Sequence, residues 1–103
     1  MIALALVAGL TGPLSALDPW VGHCWVAEIT PDITDRHCFT DVYGGAHVRD
    51  AHEVVKNGKT VYAGETLYSV EGGKITFTYW NSLGGVMRGG MIPGPELRFT
   101  MKA

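Results

Sequence analysis

The nonapeptide "VVKNGKTVY", residues 54–62, decides how this chain folds. Asn57-Gly58 sits between two runs rich in β-branched residues. Asn-Gly is the strongest short-range signal for a two-residue hairpin loop, because both loop residues must take positive φ. The stretch before it also fits a helical period through Val48, Ala51, Val54 and Val55, with Asn57-Gly58 as a helix C-cap. The hairpin is preferred, since the residues on both sides favour strands.

Working outward, the same punctuation recurs at Gly44-Gly45, Gly72-Gly73 and Gly84-Gly85. Strands are expected at residues 22–29, 35–43, 46–56, 59–71, 74–82, 86–92 and 96–101. The predicted fold is all-β, an antiparallel up-and-down meander of about six to eight strands. Closing it into a barrel or half-barrel would hide its edges. There is no repeat, linker or low-complexity tract, so residues 17–103 form a single domain.

Residues 1–16, "MIALALVAGLTGPLSA", form an apolar run too short to span a membrane as a helix. The run reads as the apolar region of a secretory signal with cleavage after Ala16, although no basic residues precede it. That reading places the domain in the periplasm or outside the cell; without a signal the location would be cytoplasmic. The net charge of -2 and the absence of any Lys/Arg run exclude a nucleic-acid footprint. Cys24 and Cys38 are too few for a disulfide scaffold but suffice for one bridge in an oxidising compartment.

"HVRDAH", residues 47–52, looks like chemistry, yet His47 and His52 differ in parity and point to opposite faces of a strand. It is not a two-histidine motif. The hairpin loops then assign neighbours. Phe39 is expected opposite Asp50, His37 opposite His52, Asp50 opposite Glu65, and Glu65 opposite Trp80. A loop centred on Pro31 sets Cys24 opposite Cys38 and Trp25 opposite His37. One face therefore collects His23, Trp25, His37, Phe39, Asp50, His52, Glu65 and Trp80, and these are the candidate ligand-binding residues. The other face carries Tyr62, Tyr68, Ile75, Phe77 and Tyr79. A single β-bulge would exchange the faces of every later strand.

"DPWVGHCWV", "DRHCFTDVYGG", "GETLYSVEGGKITFTYWNSLGG" and "ELRF" resemble the small calycin-like (lipocalin-like) barrel domains of bacterial envelopes, over roughly residues 18–99. "GHCW" stands where lipocalins carry Gly-x-Trp, with one residue more. The resemblance implies a barrel around a small-molecule cavity, with no named ligand. Such barrels have eight or more strands, so it also implies a C-terminally truncated or open copy.

The expected function is a non-catalytic envelope protein that binds a small, partly apolar ligand of unknown identity in a β-barrel cavity. The alternative is a structural or assembly protein that holds no ligand and pairs with a second copy through exposed edges or sheet faces. A minor alternative is a histidine-dependent enzyme, or a metal site at His23, His37 and His52. No catalytic residue, metal ligand or cofactor is assigned.

Overall fold

Asn57 and Gly58 both take positive φ, 50° and 76°, and the loop they make joins two strands, not a helix to a strand. This computed structural model describes residues 9–92 and 98–102. The strands are β1 (Cys24–Thr30), β2 (Ile33–Val42), β3 (His47–Lys56), β4 (Lys59–Glu71), β5 (Lys74–Asn81), β6 (Val86–Ile92) and β7 (Arg98–Lys102). They form one antiparallel sheet in sequence order, and β1 and β7 do not pair, so the sheet stays open. The expected strand at 96–101 corresponds to β7, although residues 93–97 lie outside the described residues.

The expected register holds from β1 to β3. Cys24 pairs with Cys38, Trp25 with His37, His37 with His52, and Phe39 with Asp50. The next pairing departs from expectation. Val54 faces Tyr62 but Val55 faces Thr60, which leaves Val61 bulged out of the ladder. Asp50 therefore meets Thr66, and Glu65 lies across from Ala51. The expected Glu65–Trp80 pair is kept, but on the opposite side of the sheet.

Two physical gains accompany the shift. An unbulged register would set the Asp50 and Glu65 carboxylates directly opposite each other, a destabilising like-charge pair. With the bulge, Glu65 instead meets Arg49 at 2.7 Å on the far face. The bulge also turns Tyr68, Ile75 and Phe77 onto the face of Val48 and Phe39, and all five are buried. Burying a large apolar side chain contributes about 1.5–3 kcal/mol.

The end of the segment read as a signal, with Leu17 just after it, supplies the rest of the core. Residues 1–8 lie outside the described residues, whereas Gly12–Leu17 is a 3-10 helix with Pro13 in its first turn. It packs across β3, β4 and β5, with Leu14 2% and Leu17 0% exposed. No helix among the described residues is long and apolar enough to cross a membrane.

β1 exposes every one of its residues, so side-chain packing holds it weakly. Its firmest tie is the Cys24–Cys38 disulfide, which links it to β2. Closing a loop with a sequence separation of 14 is worth about 3 kcal/mol in the chain-entropy model. Urea unfolding with and without reductant should differ by about that amount. Amide exchange should show β1 opening first in the reduced protein. Equal stabilities would mean that the bridge adds nothing.

Candidate functional site

His37 and His52 face each other across β2 and β3, with rings stacked 4.7 Å apart at 19°. Asp35 and His37 are two residues apart on one strand, so the pleat sends both side chains to the same face. Asp50 neighbours them on β3. Asp50 holds His37 Nδ1 at 2.8 Å and 3.0 Å through its two oxygens. Asp35 spans both rings, meeting His37 Nε2 at 3.2 Å and His52 Nδ1 at 3.0 Å. His52 Nε2 lies 3.0 Å from the Tyr79 hydroxyl, which lies 2.6 Å from that of Tyr62.

Gly64 makes room for the last part of this chain. A Cβ there would come within 2.5 Å of the Tyr79 oxygen and 2.7 Å of His52 Nε2. Any side chain at this position would push the ring and the hydroxyl apart.

The proton positions follow from the partners. Both His37 nitrogens face carboxyl groups, which accept when ionised, so the surroundings favour the doubly protonated ring. Burial opposes that charge, but Asp50 and then Asp35 outweigh it and hold the His37 pKa above its ordinary 6.5. Burial likewise works to raise Asp35, but its bonds to His52 and His37 win and leave it below 3.8. Asp50 goes the other way: burial raises it despite His37. Burial and the Tyr62 contact push the Tyr79 hydroxyl up as well, so it stays a neutral hydrogen-bonding group. The Asp35–His52–Tyr79 series therefore orders carboxylate, imidazole and hydroxyl without making Tyr79 a nucleophile.

These shifts set a pH window. Because the His37 pKa is raised, its contribution to stability is complete below about pH 6.5 and is lost as the pH rises through the folded-state value. The lowered Asp35 contributes above 3.8 and loses that contribution as the pH falls through its own folded value. Asp50, raised, costs stability as it ionises above 3.8. In chelator-treated protein, stability towards urea should decline as the pH climbs past 6.5, and His37→Gln should flatten the decline. A decline unchanged by the substitution would assign it to another group.

The histidines and Asp50 line a cavity of about 560 Å³. Trp20, Trp25 and Phe39 form one wall, with Trp20 5.0 Å from Trp25 and 5.9 Å from Phe39 between ring centroids. Tyr68, Phe77 and Met87 also line the cavity, together with Tyr62, Thr66 and Tyr79.

Of the residues anticipated from sequence, Trp25, His37, Phe39, Asp50 and His52 come together on this cavity. Three do not. Glu65 and Trp80 lie on the other face, turned there by the Val61 bulge, with Trp80 42% exposed. His23 is exposed, its ring edge towards Trp25 at 6.1 Å, and does not line the cavity. Reading the sequence missed Asp35, Trp20, Tyr62 and Tyr79. Asp35 was signalled by its spacing from His37, whereas the two tyrosines needed the bulge.

No protein-family model, no curated protein and no solved structure matches this chain.

Proposed function

We propose that the protein is a non-catalytic binding module, of calycin-like character, for a small, partly apolar molecule. The observation that carries this reading is the lining of the cavity. Trp20, Trp25, Phe39 and Phe77 line an open cavity of about 560 Å³, and the polar groups His37, Asp50, His52 and Tyr79 in the same lining are joined by hydrogen bonds. Ligand pockets have this composition: mostly apolar lining, with a few placed polar groups that fix orientation. The apolar part of the ligand lies against the tryptophans, and its polar end meets the histidines and Asp50. An envelope or extracellular location accords with the Cys24–Cys38 bridge, since cytosolic thiols are kept reduced.

Native mass spectrometry of protein purified from its own host tests the reading, with chelator present so that only organic adducts count. An adduct on the wild-type chain that is lost from His37→Ala and His52→Ala is the expected result. A bare wild-type chain, with both variants folding normally, would overturn it.

A second reading rests on the opposite face, where Val26 is 63% and Trp80 42% exposed, and on the outer edges of β1 and β7, which pair with no other strand among the described residues. An assembly protein would use these surfaces to meet a second copy. In that case light scattering would give a dimer that Trp80→Ser dissociates, with no adduct in the cavity.

A further inference from the structure

We propose that Asp35, His37 and His52 bind a divalent first-row transition ion beside the cavity that the two histidines line. The inference goes beyond the binding-module reading and does not depend on it.

Three observations support it. First, one donor atom from each residue lies within 4.8 Å of the others. Asp35 already meets both rings, through different oxygens: Oδ2 lies 3.2 Å from His37 Nε2 and Oδ1 3.0 Å from His52 Nδ1. Zn–N bonds of about 2.0–2.1 Å put tetrahedral ligand atoms about 3.3 Å apart, so only modest side-chain adjustment is needed. Second, the donors sit on rigid neighbouring strands. Asp35 and His37 are on β2, and His52 is the direct cross-strand partner of His37.

Third, the outer nitrogens are already engaged. His37 Nδ1 is held by Asp50 and His52 Nε2 by Tyr79, so His37 Nε2 and His52 Nδ1 are turned inwards to Asp35. Metal-ligating histidines have this arrangement: one nitrogen on the ion, the other donating to a carboxylate or oxygen outside it. The two-His, one-carboxylate set suits transition ions, whereas calcium and magnesium prefer oxygen ligands throughout.

The proton balance also closes. When the ion enters, His37 gives up its Nε2 proton to solvent and keeps Nδ1–H on Asp50. His52 moves its proton from Nδ1 to Nε2 and donates to Tyr79. The Tyr79 hydroxyl then donates to Tyr62, 2.6 Å away. The 2+ charge of the ion offsets the carboxylates of Asp35 and Asp50. Three protein ligands leave a coordination position for water or for a polar atom in the cavity.

Titrating the chelator-stripped full chain with zinc chloride alone, and separately with cobalt chloride, tests the site. One ion per chain is expected, with cobalt giving visible d–d absorption. Asp35→Asn and His52→Ala should remove the cobalt spectrum. Asp50→Asn should weaken binding about 10–100-fold, as loss of an outer partner does. His47→Ala should change nothing. Imidazole ¹⁵N shifts of the wild type with zinc need no variant, and coordination at His37 Nε2 and His52 Nδ1 is expected. Failure of the wild type to bind, coordination at other nitrogens, or a cobalt spectrum that survives in a folded Asp35→Asn protein would each overturn the proposal. None of these results bears on organic adducts, so the cavity reading stands or falls separately.

Discussion

A chain lacking Val61 is expected to lose its folded state under conditions where the full chain is stable. Removing the bulged residue restores a continuous β3–β4 ladder, and a one-residue slip exchanges the faces of every side chain beyond it. Tyr68, Ile75 and Phe77, each no more than 7% exposed, would turn to solvent. Glu65 would return opposite Asp50, and Trp80 would be turned onto the face that now carries Tyr79. Taking a large apolar side chain out of a core costs about 2–5 kcal/mol. Three such losses match or exceed the roughly 5–15 kcal/mol that stabilises an ordinary domain. Urea unfolding followed by near-UV circular dichroism reads the outcome. A deletion variant with wild-type stability and an intact aromatic signal would show that the bulge does not set the register. Val61→Ala is the control: the side chain is 58% exposed, so its truncation should cost less than about 0.5 kcal/mol.

The second large effect is expected at the 3-10 helix. Leu17→Ala should destabilise the protein by about 3 kcal/mol, within the range for fully buried leucines. Leu17 has no exposed surface and packs with Leu14 on the Phe39–Val48–Phe77 cluster. A chain beginning at residue 17, as cleavage after Ala16 would leave it, keeps Leu17 but gives up Leu14, which is 2% exposed, and the partly buried Leu10. It should fall below the full chain by at least about 2 kcal/mol in urea unfolding. Equal stability of the two chains, or a neutral Leu17→Ala, would mean that the segment rests on the sheet without holding it.

The contrast between these two regions shows which parts of the architecture can be read from residues. Turn chemistry is local, so Asn57-Gly58 and Gly72-Gly73 announced their hairpins. Wherever the ladder runs unbroken, counting outward from a loop placed partners correctly, including Cys24 with Cys38 and His37 with His52. Val61 carries no such mark. It is a β-branched residue in a β-branched run, and it is bulged because the burial of Tyr68, far along the strand, and of Phe77 on β5 outweighs an unbroken ladder. Glu65 and Trp80 were misplaced for that one reason, and Tyr62 and Tyr79 were missed for it. The N-terminal leucines are a different problem. An apolar run that packs on a sheet and one that directs export have the same composition, so the residues alone do not separate them.

The arrangement of tryptophans has an optical consequence. Two of the three indoles, Trp20 and Trp25, lie 5.0 Å apart on the cavity wall, while Trp80 lies across the sheet on the outer surface. Indoles this close couple their electronic transitions, and their emission responds to anything that displaces solvent from around them. Trp80, on the opposite face of the sheet, supplies a constant background. The molecule thus carries a reporter and its reference in one polypeptide, and occupancy of the cavity can be followed by light without attaching a dye.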